Sequence, residues 1–206
     1  QLATPLVNGI DELAVNTAKE EEDGPVGVAS IHEVISHTLL STVRAYRSKY
    51  PNVHLRIRSG TSAEVLSLVR DGSVDFGVMP GGASGDEFEF QGLLGYERVL
   101  ITPLGHPLLK TPLTSLEQIT QWPLILMRQQ TITRMVLEEE LGRRGIPYDI
   151  VVELDDMDII KRYVAMGMGV SVGPRLAMDP DDHHELGIVS LVNLLPVEQV
   201  GILTLR

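Results

Sequence analysis

The chain has 206 residues, 43% of them apolar, a formal net charge of −11 and no cysteine. This composition excludes disulfides, thiolate metal sites and a cysteine nucleophile, and no apolar run is long enough to span a bilayer. The acidity, with no cluster of Lys and Arg to offset it, argues against this chain gripping a phosphate backbone, because such affinity rests on cationic side chains displacing counterions. Without a basic stretch leading into an apolar one at the N-terminus, a cytoplasmic protein is expected.

In chain order, residues 1–25 come first. Leu2, Leu6, Ile10, Leu13 and Val15 fall near helical spacing as far as Lys19, and Glu20-Glu21-Glu22-Asp23 then runs into the breaker Gly24-Pro25. The expected structure is a helix tail and a hinge, with an unstructured terminus as the alternative. A β/α rhythm follows. Val26 to Ser30 is a short strand, and Ile31 to Tyr50 is a helix with Val34, Ile35, Thr38, Leu39, Val43 and Tyr46 on one face, ended by Tyr50-Pro51. Val53 to Arg58 alternates apolar and polar residues as a half-exposed strand does. Gly60-Thr61-Ser62 turns into a helix bearing Val65, Leu66 and Val69 and closed by Asp71-Gly72, and Asp75 to Pro80 is a buried strand. Strand, helix, strand, helix, strand in this order argues for parallel pairing.

Arg98 to Thr102 is another strand, broken at Pro103, after which the rhythm restarts. Pro123 to Met127 is a strand, Arg134 to Arg144 a helix, Ile150 to Glu153 a strand and Asp158 to Met166 a helix. Gly167-Met168-Gly169 makes a tight helix-to-strand corner before the strand Val170 to Val172, which Pro174 stops. Gly187 to Leu191 and Gly201 to Leu205 look like further strands. The expected fold is α/β: two Rossmann-like subdomains, residues 26–102 and 103–206, with a cleft between them.

Several of these segments together resemble the regulatory domain of LysR-type transcriptional regulators. They are Tyr50-Pro51-Asn52-Val53 with the alternating strand after it, Arg70-Asp71-Gly72-Ser73-Val74-Asp75-Phe76-Gly77-Val78, Ile101-Thr102-Pro103-Leu104-Gly105-His106-Pro107-Leu108, and the Gly167-Met168-Gly169 turn. The resemblance implies a type II periplasmic-binding-protein-like fold, a small-molecule effector in the cleft, a homodimer or tetramer, and no membrane partner. It also implies that DNA is bound only by an N-terminal winged helix-turn-helix outside this sequence, of which Gln1 to Lys19 would be the end of the linker helix. A C-terminal helix after Ile202 to Arg206 is likewise expected by the resemblance and absent from the sequence. Asp156-Met157-Asp158-Ile159-Ile160-Lys161-Arg162-Tyr163 resembles the branch that regulates cysteine biosynthesis and sulfur assimilation. That branch holds sulfate with a Thr-Thr-His-Thr-Gln stretch. Here the matching residues are Ser30-Ile31-His32-Glu33-Val34, in which only the His agrees and Glu33 sets a carboxylate where an anion's oxygens would lie.

Candidate ligand-binding residues sit where strands end and helices begin. Ser30, His32 and Glu33 form one corner, where free helix N–H groups favour an anion, or where Ser30 serves only as an N-cap. Gly60, Thr61 and Ser62 form a second, with capping at Glu64 as the alternative. Met79 ends the third strand. Arg128, Gln129, Gln130 and Thr131 form the corner most expected to face a ligand, because four polar side chains exceed what one cap requires. Arg128 and Arg134 are suited to a bidentate carboxylate contact, although a salt bridge to one of Glu138 to Glu140 is the commoner fate of an Arg. Asp155 and Asp156 read as N-cap and first-turn acids of the helix at Asp158, with Asp155 a further candidate contact.

Asp179-Pro180-Asp181-Asp182-His183-His184-Glu185 is the one stretch with metal-ligand residue types, and a solvated loop is expected there rather than a site. No metal, cofactor or catalytic residue is expected: the nucleophile elbow, Walker loop, zinc helix and dinucleotide fingerprint are all missing from the sequence. A solute-binding protein of a transporter, or an enzyme on the same scaffold, remains the alternative reading.

Overall fold

A computed structural model describes residues 25–81 and 86–206; the helix expected before Lys19 lies outside the described residues. The chain divides into two compact units, one running to Gly95 and including Glu198–Arg206, the other spanning Tyr96–Val197.

The elements in order are β1 (Val26–Ser30), a π-helical segment (Val34–Leu39) continuing as α1 (Leu40–Lys49), β2 (Leu55–Ser59), α2 (Ser62–Arg70), β3 (Phe76–Pro80), β4 (Phe88–Tyr96) and β5 (Arg98–Pro103). After a 3-10 turn at Pro107–Leu109 come α3 (Glu117–Thr120), β6 (Leu124–Met127), α4 (Ile132–Arg144), β7 (Ile150–Leu154), α5 (Met157–Ala165) and β8 (Ser171–Pro174). Two more 3-10 turns, Arg175–Ala177 and Pro180–His184, lead to β9 (Leu186–Ser190) and β10 (Glu198–Leu205).

The first unit holds one sheet in the order β2-β1-β3-β10-β4. β1 pairs in parallel with β2 and β3, as the β/α rhythm predicts, and β10 runs antiparallel to β3. The last strand, which the sequence reading leaves with the second half, thus completes the sheet of the first. In the second unit β8-β5-β9 is antiparallel and β6-β7 is parallel, and a parallel bridge from Leu124 to Val170 joins them edge to edge.

Alternation across the second sheet divides its core cleanly. Leu100, Leu124, Leu126, Val170 and Val172 face α4 through Leu137 and Leu141, whereas Val99, Ile101, Ile125 and Met127 face α5 through Met157, Ile160 and Val164. Both faces are covered, which is why its strands are continuous apolar runs. In the first unit Ala29, Met79, Phe88 and Leu203 pack with Val65 and Val69 of α2. On the opposite face α1 covers β1 and β2 less completely, leaving a cavity of about 20 Å³ lined by Val28, Leu39, Thr42, Val43, Tyr46, Leu55 and Ile57.

Two local features depart from the sequence reading. The first helix begins with a π-helical turn, so its buried residues recur at Val34, Leu39, Thr42 and Tyr46; Ile35, Thr38 and Val43, expected on the same face, are only half-buried. One extra residue in the turn moves the core-facing position from i+4 to i+5. β4 was not anticipated, because its alternation is diluted by Gly92 and Gly95. The glycine corner after α5 behaves as expected: Gly167 has φ +80°, and a Cβ on Gly169 would stand 2.5 Å from the Pro123 carbonyl oxygen.

Candidate functional site

The candidate residues lie at five strand ends, those of β1, β2 and β3 in the first unit and of β6 and β7 in the second. Ser30, at the end of β1, is fully buried. Its hydroxyl donates to the Val78 carbonyl of β3 instead of capping the helix, and its own carbonyl accepts from the Gly60 N–H at 3.0 Å. Ser30 therefore locks the three parallel strands together and brings Gly60 beside the start of the first helix. His32 is exposed at that start, its Nε2 3.3 Å from the Ser36 hydroxyl one turn on, and half-buried Glu33 directly precedes the π turn.

The second corner is closed by its own side chains. Thr61 is the N-cap of α2: its Oγ1 accepts from the Glu64 N–H at 3.3 Å, while the Thr61 N–H donates to Glu64 Oε2 at 2.7 Å. This reciprocal box satisfies two of the donors a helix start leaves open. Gly60 fits because a Cβ there would stand 3.0 Å from both Cβ and Oε2 of Glu64. Ser62 is the first residue of α2 and half-buried. Met79 is a core residue, packed with Phe88 and Leu203.

The corner after β6 differs. Thr131 is the N-cap of α4 by position, with φ −81° and ψ 140°, yet its hydroxyl makes no cap bond and donates back to the Arg128 carbonyl at 2.9 Å. Gln129 and Gln130 are exposed. Arg128 is half-exposed, with its Nε 3.7 Å from Oδ1 of Asp155 at the end of the neighbouring strand β7. The register that pairs Met127 with Leu154 makes these two residues neighbours. The adjacent Asp156 takes the structural role, accepting from the Ile159 N–H at 3.0 Å as the cap of α5.

Arg134 underlies this corner. It is only 2% exposed; its Nη1 donates to the Met127 carbonyl at 2.8 Å and lies 3.3 Å from Glu153, and its Nη2 lies 2.7 Å from Glu138. Of the two fates open to Arg134 in the sequence, the ion pair on its own helix is realised, and a strut on the end of β6 is added. The i, i+4 spacing to Glu138 carried the first part of that signal; the contact with Glu153 depends on strand pairing and has no local signature.

The acidic stretch 179–185 is organised by a cation the sequence reading missed. Lys161, nearly buried on α5, reaches Asp158 at 2.8 Å, Asp182 at 2.9 Å, Asp179 at 3.4 Å and the Ala177 carbonyl at 3.1 Å. Burial works to lower the Lys161 pKa, but hydrogen bonds and charge from Asp158 and Asp182 outweigh it, and the ammonium is held above the ordinary lysine range. Two carboxylates of the stretch thus serve to pin it to α5.

Comparison with known proteins places this geometry. Residues 19–206 match the family described as LysR substrate binding domain. The HTH-type transcriptional regulator cbl of Escherichia coli (strain K12) is 31% identical over 153 residues, 74% of this chain and 48% of that protein. The HTH-type transcriptional regulator SsuR of Burkholderia cenocepacia is 28% identical over 174 residues, 84% of this chain and 56% of that protein. The chain thus spans about half the length of these relatives. Among solved structures, the cofactor-binding domain of the Cbl transcriptional regulator superposes with a TM-score of 0.83 at 26% identity, covering 90% of this chain and 82% of that one. The α/β fold of the type II periplasmic-binding-protein kind, expected from the sequence, is the fold of that domain.

Proposed function

This chain belongs to the LysR substrate-binding domain family, and from that premise we propose that it is the effector-sensing part of a DNA-binding transcriptional regulator. The observation that carries the reading is the corner after β6: Gln129 and Gln130 are exposed, Thr131 makes no cap bond and Arg128 has only a long contact to Asp155, whereas the corner at Thr61 is closed by its own capping box. A small polar or anionic metabolite is the effector, held by the strand-end residues, with Ser30 and Gly60 acting as supports and His32, Glu33, Thr61, Ser62, Gln129, Gln130, Arg128, Thr131 and Asp155 available for contact. Met79 contributes by packing.

The protein works in the cytoplasm and binds its ligand without turning it over. Control is by population shift: the effector binds one arrangement of the regulator better than another, and a coupling free energy of about 1–3 kcal/mol suffices. DNA is held by a part of the regulator other than this chain, whose charge of −11 opposes contact with phosphates. The working form is a homo-oligomer, dimer or tetramer. Supporting this, both units expose apolar side chains, Leu40 and Ile57 in the first and Val151 and Ile159 in the second, with Ile57 and Val151 on sheet-edge strands.

Native mass spectrometry of the protein as purified, followed by thermal-shift screening of sulfur metabolites and carboxylates, tests the sensing role. A stoichiometric small molecule that raises the melting temperature, is recovered unchanged, and loses its effect on Gln130→Ala is the expected result. No bound molecule and no shift across the panel would remove the reading.

A further inference from the structure

Arg128 and Asp155 end two parallel strands that lie side by side, and their side chains approach to 3.7 Å. That is about 1 Å longer than a charge-assisted hydrogen bond. Both groups reach water, their side chains 42% and 77% exposed. A contact of this kind adds little to stability, so parting it costs little. The neighbouring charges are bound elsewhere: Arg134 by Glu138 and Glu153, Asp156 by the first turn of α5, and Lys161 by Asp158 and Asp182. One cation and one anion are therefore held within reach of each other by the strand register rather than by their own attraction.

Resting on the sensing role proposed above, we infer that this pair is a dipolar clamp and that the effector is a zwitterion of the amino-acid type, its carboxylate on Arg128 and its ammonium on Asp155. A ligand with only a negative group gains Arg128 but leaves Asp155 unpaired beside a like charge. A plain amine does the reverse. An amino acid carries both charges on one carbon, so entering between Arg128 and Asp155 leaves every charge with a partner. The same reasoning disfavours sulfate, which has no cation to offer Asp155. Gln129 and Gln130, exposed beside Arg128, are placed to read the rest of the molecule through their amides.

Calorimetry and thermal shift on the 206-residue chain decide it, using the twenty protein amino acids and, for each one that binds, the matched amine and the matched 2-hydroxy acid. The expected result is an amino acid that binds at least about tenfold more tightly than either analogue. Asp155→Asn should abolish its advantage over the hydroxy acid, and Arg128→Gln its advantage over the amine, with the unliganded melting temperatures nearly unchanged. A hydroxy acid that binds as well as its amino acid, or a preference that survives Asp155→Asn, overturns the clamp while leaving a ligand site in place. If only molecules outside this class from the metabolite panel bind, the clamp falls and the sensing role stands; if nothing in either panel binds, both fall.

Discussion

The two units of this chain are variations on one plan. The first has strands in the order β2-β1-β3-β10-β4; the second, read through the Leu124 to Val170 bridge, has β7-β6-β8-β5-β9. In each, three parallel strands are followed by an antiparallel strand, β10 in one and β5 in the other. The differences lie in how well the faces are filled and how the strand ends are finished. The second sheet is packed on both faces, while the first retains a water-sized void under α1. The first unit closes its strand ends with its own side chains, through Ser30 on Val78 and the Thr61 and Glu64 box, whereas the second leaves Arg128, Gln129 and Gln130 open. A shared framework therefore fixes where such corners form, and a few side chains at its strand ends decide which of them stay open.

The comparison breaks most visibly in the core. Leu126→Ala should cost about 2–5 kcal/mol, because its site has no slack to collapse into. Trp122, the sole tryptophan, packs against that same core, so urea unfolding followed by its fluorescence should shift to lower denaturant. Leu203→Ala, in the first unit, should instead move the far-ultraviolet circular dichroism transition and spare the fluorescence midpoint. Coincident shifts in both variants would show that the units do not unfold separately.

Lys161→Met should cost about 1–3 kcal/mol through its lost hydrogen bonds to charged groups. Because the folded-state lysine pKa is raised, the stabilisation is fully present below the unfolded-state value and is lost as pH rises through the folded one. Melting temperatures of the two proteins should differ by a constant amount at neutral pH and converge in strong alkali. A gap that stays open there would assign the effect to packing. Thr42→Val removes a buried hydroxyl that has no hydrogen-bond partner beside the void in the first unit. It should raise stability by about 1–2 kcal/mol in chemical denaturation. A loss would mean that a water fills the void and binds Thr42. The smallest effects separate the corners: Thr61→Ala should cost about 1 kcal/mol as a lost cap, whereas Gln130→Ala should change stability by less than about 0.5 kcal/mol. An equal cost at Gln130 would make that corner structural.

The parts legible in the sequence were those whose signal is local. β1 was placed at its observed limits, and the strands β5, β6, β7, β9 and β10 and the helices α2, α4 and α5 within a few residues, since apolar periodicity and Gly or Pro breakers mark them directly. The π turn left no such mark, because one inserted residue shifts the phase of Val34 against Leu39 without changing which residue types appear. The candidate site was legible as positions but not as commitments. Ser30 was recognised as lying at a corner, yet its bond to Val78 spans 48 residues of sequence. Likewise, Asp155 and Asp156 are chemically identical neighbours. Only the strand register turns one toward Arg128 and leaves the other to cap α5. The role of Lys161 depends on a turn about 20 residues downstream meeting α5, and composition alone made that turn look like a solvated loop.

The placement of β10 has a consequence for biogenesis. The second unit is contiguous, from Tyr96 to Val197, so every strand of its sheet has been translated before β10 is made. In the first sheet β10 lies between β3 and β4, so that sheet cannot be completed until Glu198–Leu205 has emerged from the ribosome. The half synthesised first is therefore completed last, and its open strand edges are what a nascent-chain chaperone would meet.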